Sequence, residues 1–548
     1  MRIVAISPGM GRAFQALGHE VFILWPKGPA VFNLAQELEK AAFAPELIFQ
    51  EETLGPRIIL SGLECFDCPK IFWSVDTHLN LFWHAPYSRL FDGLMSPHIS
   101  ILRRYPDILP PLPPYERLTM PGYEIPWKPF EERKRAIGFV GRVTKHRPSR
   151  QRMTEFLATA YQAELADNLD KQAMLEFYRD TRLAPNETIM YEVNFRLMES
   201  ASCGCLSFNP DVGEDQNILF QPGREMEVYQ HILELRELLD FHQSHLRQAE
   251  AKARLAWERV RQEHLPIHRA KAVLDFAGRL DRKAAKGQNA LKQLTLTMFN
   301  LKQASRINIP VELLNKNFSA AGKTSSQVLS SRIMLLTEEK NHVEAAEAIA
   351  EIFSSPAHEK DFVLNATASL SAIKIGLWDM AKEFWYRHQR AHAAAPAKPF
   401  DPPDLYRLRA REFTRFDLSV MPGLGFDPNK HVPRCAFDCL LCALAEDNDS
   451  DRGLELKKQA WGLLSQIKGA EYMGIGYLSD LTLHFPENWR YGLHLAILNL
   501  RSFREKEGLE EAVLAFNQAA QKKALPAFKR SLSQLEPRGY LNGYLSKI

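Results

Sequence analysis

Short, unbroken apolar runs punctuate the first 130 residues: RIVAIS from Arg2, EVFILW from Glu20, ELIFQ from Glu46, RIILSG from Arg57, KIFWSVD from Lys70 and GLMSPH from Gly93. They do not alternate apolar with polar, so each predicts a strand covered on both faces, as in a parallel sheet wrapped by helices. The proline-rich stretch from Tyr105 to Phe130 suits neither a helix interior nor a central strand and predicts a linker or crossover wall. A second strand–helix series begins at RAIGFVGRV, Arg135 to Val143, passes through a helical stretch around RMTEFLATAYQAELA and returns to strand at CLSFNP. It ends in a charged helical tract, about 225–282, with no glycine between Gly223 and Gly278. Two consecutive Rossmann-type α/β domains are expected, at 1–131 and 132–285.

After about residue 290 the strand signal fades and helical pairs dominate, predicting an all-α region over 290–548. IKIGLWDMAKEFWYRHQ and KEGLEEAVLAFNQAAQKKALP share a plan: glycine, a hydrophobic residue, an acid, then Ala381 or Ala512 with an aromatic four residues on. This is similar to the turn and second helix of a tetratricopeptide repeat. Gly376 and Gly508 lie 132 residues apart, close to four periods of about 34. HAAAPAKPFDPPD, His392 to Asp404, interrupts the array.

Composition narrows the functional classes. A chain of 548 residues with 45% apolar and 25% charged residues is ordinary globular protein in several domains. A net charge of +3 without a Lys/Arg block interleaved with aromatics disfavours nucleic acid as partner. No run approaches the roughly 20 apolar residues of a membrane span, and MRIVAISPGMGRAF reads as a first strand and turn, not a leader. A cytoplasmic location is expected. Cys65 and Cys68 have zinc-knuckle spacing, but no second pair stands at a zinc-ribbon distance, so no metal site is expected.

The candidate chemistry centres on VNFRLMESASCGCLSFNP, Val193 to Pro210. Gly204 predicts the end of a helix running from about Glu192 to Cys203, on which Arg196 and Glu199 share a face. One reading is a surface ion pair. In the other, Asn186, Asn194 and Arg196 surround orphan backbone N–H groups suited to phosphate, and Glu199, further in, hydrogen-bonds the hydroxyls of a ribose. In the first half, Asp76 and His78 follow a buried strand at a carboxyl edge, where either could take a proton from an acceptor hydroxyl. The alternative is that Asp76 caps the next helix. Gly9 and Gly11 follow the first strand without the third glycine of a dinucleotide fingerprint and predict a tight strand-to-helix turn.

Three stretches, IGFVGRVTKHRPSR, LAPNETIMYEVNFRLMESASCGC and EDQNILFQPGREMEVY, resemble the second domain of GT-B glycosyltransferases, in particular the CgeB-like (spore maturation protein B-like) group. ALGHEVFIL and IFWSVDTHLNLFWHAPYSRLFDGLMSP are similar to that group's first half, so the resemblance covers about 1–280. It implies a glycosyltransferase using a nucleotide-sugar, with Glu199 as the ribose-binding acid and Asn194 and Arg196 at the diphosphate and donor sugar. Arg142, Arg147 and Arg150 fall in the loop facing the same cleft, where forked cations could hold a departing diphosphate without a metal or other cofactor. Many retaining members carry a Glu eight positions before the helix Glu; here that position is Tyr191, so the stereochemical outcome is not inherited.

The leading expectation is therefore transfer of a sugar to a protein such as flagellin or to a surface glycan, with the helical region binding the acceptor or a protein partner, or self-associating. The competing one is a non-catalytic, degenerate fold whose work is done by the helical region. A dinucleotide oxidoreductase is disfavoured by FILWPKG, which lacks the acidic residue expected after the second strand.

Overall fold

The computed structural model describes residues 1–547 apart from 29, 146, 323–324, 393–396 and 449. Part of the expected HAAAPAKPFDPPD interruption thus lies outside the described residues. By their internal contacts the residues form two compact units, Met1–Thr119 with Ala270–Gln459, and Met120–Arg269 with Ala460–Ile548.

The first unit contains β1 (Arg2–Ile6), β2 (Glu20–Ile23), β3 (Ala30–Asn33), β4 (Leu47–Glu51), β5 (Ile58–Ser61), β6 (Lys70–Trp73), β7 (Gly93–Ser96) and β8 (Tyr115–Arg117), of which all but β3 and β8 fall on the six apolar runs. Six of them form one wholly parallel sheet in the order β2-β1-β4-β6-β7-β8, while β3 and β5 pair separately. Strands β6 and β7 are buried along their whole length, as unbroken apolar runs require. The proline-rich stretch holds one correction: β8 lies within it and pairs with β7. The strand fits because its three residues contain no proline and lie between Pro114 and Pro121, at the edge of the sheet.

Helix Gly287–Gln303 packs on helix Thr77–Ser88, with Asn300 Nδ2 donating to the buried Phe82 carbonyl at 2.7 Å. Helices Phe362–Lys374 and Trp378–Ala391 turn back on each other at Gly376, whose φ of +80° suits glycine. Gly508 has a different place, inside helix Glu505–Gln521, where a Cβ would come within 2.7 Å of Leu500.

The second unit contains β9 (Arg135–Val140), β10 (Glu164–Ala166), β11 (Thr181–Pro185), β12 (Leu206–Pro210) and β13 (Glu227–Tyr229), again all parallel, in the order β10-β9-β11-β12-β13. The charged tract divides into β13 and helices Ile232–Ser244, Leu246–Arg259 and Pro266–Ala277. One face of this sheet shares a core with the last helices of the chain. Ile137, Phe139, Leu183 and Phe208 belong to the same buried cluster as Leu493, Ile497, Leu500 and Phe528. The tail thus covers apolar surface that the sheet would otherwise expose to water.

Among the described residues no helix is long and apolar enough to cross a membrane.

Candidate functional site

In an open parallel sheet, ligands bind outside the carboxyl ends of the strands, where the chain order reverses. In the second sheet that reversal falls between β9 and β11. The loops leaving these two strands carry most of the residues singled out in the sequence.

Asn186 stands just past β11, buried, with every polar group engaged. Its Nδ2 donates to Asn194 Oδ1 at 3.0 Å and Asn209 Oδ1 at 2.7 Å, and its Oδ1 accepts from Asn194 Nδ2 at 3.1 Å and Arg196 Nη1 at 2.5 Å. Its N–H donates to Phe208 O at 2.8 Å, and its carbonyl accepts from the Tyr229 phenol. An amide with both donors and both acceptor sites filled is a fixed post that positions its neighbours.

Arg196 lies in the first turn of helix Phe195–Ser202. Its Nε donates to the Val140 carbonyl at 2.9 Å, and its guanidinium sits over the Phe139 ring, 4.4 Å from the centroid. Gly141 admits it, because a Cβ there would lie 2.5 Å from Nη2. The helix is shorter than the expected Glu192–Cys203 because Asn194 is extended, φ −97° and ψ 169°, and makes Phe195 the first helical residue; just upstream, Met190 and Tyr191 take left-handed angles, φ +50° and +53°. Its other end is as expected. Gly204, at φ +71°, donates to the Ala201 carbonyl and Cys205 N–H to Ser200, the paired bonds of a Schellman stop.

The N-cap residue, Asn194, gives its side chain to Asn186 and to the Glu187 carbonyl, so it does not cap the first turn. Orphan N–H groups and the helix dipole there favour an anion. Two of the loop arginines face different ways. Arg147, which precedes helix Pro148–Tyr161, lines a cavity over the sheet edge, and Arg142 is exposed. Arg150 is buried, ion-paired through Nε to Glu187 Oε2 at 2.7 Å, with Nη1 3.4 Å from the Arg142 carbonyl. Burial, then the charges of Arg196 and Arg147, push the Arg150 pKa down, which is the signature of cations gathered in one place. Arg150 therefore ties the two loops together.

Glu199, one turn beyond Arg196, forms no ion pair with it among the described residues. Burial raises the Glu199 pKa, against the attraction of Arg196 and Lys171. A half-buried carboxylate of this kind, with no hydrogen-bond donor among the described residues, can accept a pair of hydroxyls.

In the first sheet the reversal falls between β1 and β4. Ser7 follows β1 and Glu51 ends β4, and the Ser7 hydroxyl donates to the Glu51 carboxylate across the crevice. Burial raises the Glu51 pKa to about 7, opposed by the Ser7 bond and reinforced by the charge of Glu52. Glu52, wholly buried, accepts from Val75 N–H at 2.9 Å, Asp76 N–H at 2.8 Å and Asn80 Nδ2 at 2.6 Å. It fixes the loop that carries Asp76. Asp76 is the N-cap residue of helix Thr77–Ser88 but makes no side-chain cap bond. His78 is buried beside His98, ring centroids 4.9 Å apart. Gly9 and Gly11 lie inside helix Pro8–Ala16 instead of in a turn before it; a Cβ on Gly11 would come within 2.7 Å of Ile23, so its role is close packing on β2.

Sequence reasoning overlooked Ser7, Glu51, Glu52, Glu187 and Asn209. The one signal available was the pair of acids directly after LIFQ, which places charge at the carboxyl end of a buried strand.

Residues 131–275 match the family model described as Glycosyl transferase-like. The chain thus carries a glycosyltransferase-like domain, and that segment includes β9 to β13 and the loops just described. Among solved structures, a sucrose-phosphate synthase from Thermosynechococcus elongatus is similar at 11% identity, with a TM-score of 0.36 over 50% of this chain and 98% of that one. A glycosyltransferase from Rickettsia africae is similar at 8% identity, with a TM-score of 0.37 over 50% of this chain and 97% of that one. No match is found among curated proteins.

Proposed function

We propose that the protein is a metal-independent glycosyltransferase that takes a nucleotide-sugar donor on its second unit and moves the sugar to a protein or glycan acceptor in the cytoplasm. The observation that carries this reading is the carboxyl edge of the second sheet, where the charges of Arg196 and Arg147 both act on the buried Arg150, Asn194 leaves the start of the Arg196 helix without its side-chain cap, and Glu199 stands one turn further on. Diphosphate belongs at the cations and N–H groups, and the ribose hydroxyls at Glu199. As the bond from the sugar to phosphate breaks, charge grows on the diphosphate, and fixed guanidinium groups stabilise it. Glycosyl transfer is further supported by the family match over 131–275.

On the acceptor side, we assign the hydroxyl proton to Asp76, with His78 as a positioning residue behind it and Glu51 setting the charge at the same sheet edge. The opposing reading, a binding protein without catalysis, is favoured by Tyr191 in place of an acid. The two are separated by incubating the full chain with sugar nucleotides and following release of nucleoside diphosphate. Transfer or slow hydrolysis of one donor supports the enzyme. Tight nucleotide binding with no release from any donor, in the presence of cell-extract acceptors, supports the binding protein.

A further inference from the structure

The region after residue 460 enters the donor unit at one specific place. A cavity of about 180 Å³ opens over the carboxyl ends of β11, β12 and β13, and its walls come from two distant parts of the sequence. Arg147 and the 187–191 loop form one side; Glu471, Tyr472 and Arg501 form the other. The two sides are interlocked at the backbone. Gly469, at φ +89°, passes so close to Met190 that a Cβ would lie 2.2 Å from its Cα. The loop it presses is the one in which Met190 and Tyr191 hold left-handed angles, a conformation costing on the order of 1 kcal/mol per residue for non-glycine residues. Such a conformation persists where the surroundings over-determine it, and here the tail supplies those surroundings.

Three side chains on the tail wall have chemistry that the core does not explain. Tyr191 and Glu471 share a side-chain hydrogen bond. Burial, and then the Glu471 charge, keeps the phenol protonated, so it donates and orients the carboxylate. Arg501 gives Nη2 to the Leu535 carbonyl at 3.1 Å, yet its buried Nε has no hydrogen-bond partner among the described residues. Tyr472 is 55% exposed, an aromatic face left at the cavity mouth.

A carboxylate repels phosphate, so this end of the cavity does not suit the diphosphate. A carboxylate, a guanidinium and an aromatic ring around a space the size of one six-membered sugar ring suit neutral vicinal hydroxyls and a C–H face. We propose that Glu471 and Arg501, delivered by the C-terminal helices, bind the sugar of the nucleotide-sugar donor and help to select it. This rests on the glycosyltransferase reading above. Position 191, where the related motif has an acid, holds a tyrosine that orients an acid brought from 280 residues away. The helical region then belongs to the donor site itself.

The test is calorimetric titration of the full chain with UDP and UDP-glucose, GDP and GDP-mannose, and dTDP and dTDP-glucose, for the wild type, Glu471→Gln and Arg501→Lys. Both substitutions keep side-chain size closely, and thermal unfolding checks that they fold. The expected result is one pair for which Glu471→Gln raises the Kd of the sugar nucleotide about tenfold while that of the free nucleotide changes less than twofold, with Arg501→Lys acting in the same sense. Equal weakening of nucleotide and sugar nucleotide, or no change in either variant, would overturn the proposal while leaving the glycosyltransferase reading standing. Binding of free nucleotides without any of the sugar nucleotides would also overturn it. If no nucleotide binds at all, the glycosyltransferase reading fails first and this assignment falls with it.

Discussion

Arg196 turns its guanidinium away from Glu199, three residues later on the same helix, and spends it on the Val140 carbonyl, the Asn186 side chain and the Phe139 ring. The Glu199 carboxylate is left half-buried beside a cation that does not pair with it. The consequence is a division of labour that mutation can separate. Arg196→Met removes the donor to a backbone carbonyl and to a buried amide, and should destabilise the second unit by about 2–3 kcal/mol as well as weakening nucleotide binding. Glu199→Gln should leave the melting temperature unchanged or higher at neutral pH, because burial disfavours the charge it removes, while nucleotide affinity falls. Thermal unfolding and nucleotide titration on the two variants check this.

The Glu51 carboxyl provides a pH test. Its folded pKa of about 7 lies above its ordinary value of 4.5. Below both values the group is protonated in folded and unfolded chains alike and contributes nothing. As pH rises from 4.5 toward 7, the unfolded chain releases a proton that the folded one retains, so stability is lost through that window and stays lower above it. Glu51→Gln should therefore gain on the wild type between pH 5 and pH 8, by up to about 3 kcal/mol. Denaturant unfolding at both pH values measures the difference; an equal effect at each would show that the carboxyl is not held near neutrality.

Asp76→Asn should lower transfer by about 10²- to 10⁴-fold with donor affinity preserved, because its backbone is held by Glu52 and the substitution breaks no side-chain cap. A fully active variant would remove Asp76 from the proton transfer.

Deleting the last helices is expected to break the second unit, not to trim it. Leu493, Ile497 and Leu500 pack in one cluster with Ile137 and Phe139. A chain ending at residue 487 would expose that face of the sheet and should be recovered aggregated or protease-sensitive over 131–275. A soluble, cooperatively folding truncation would contradict the shared core.

The central strands were legible because parallel strands buried on two faces are written as unbroken apolar runs, as in Arg2–Ile6, Lys70–Trp73 and Leu206–Pro210, whereas the short, partly exposed β3 and β8 carry no such run and β10 falls in the stretch RMTEFLATAYQAELA that reads as helical. The end of the Arg196 helix was legible because only a left-handed residue such as Gly204 makes that stop. Its start was not. The chain just before it, where Met190 and Tyr191 take left-handed angles, lies against Gly469, nearly 280 positions away, and local propensity holds no trace of that contact. Asn186 looked like a ligand-binding group and is a satisfied post, a distinction that only the full set of its hydrogen bonds reveals. Arg147 and Arg150 read alike in HRPSR, but one lines a cavity and the other is buried on Glu187. Glu51 gave no periodic signal at all, since its role depends on lying opposite Ser7 at the point where the strand order reverses.

The proposed donor site stands or falls on whether the edge of the second sheet binds the nucleotide of a sugar donor. Its most direct test is calorimetric titration of UDP, GDP, CMP, dTDP and NAD into the wild type and Glu199→Ala at neutral pH. Saturable binding of one of UDP, GDP, CMP or dTDP, but not of NAD, is predicted, with at least a tenfold weaker affinity in a variant that melts normally. A folded wild type that binds none of them, or a Glu199→Ala chain that binds as tightly as the wild type, would contradict it.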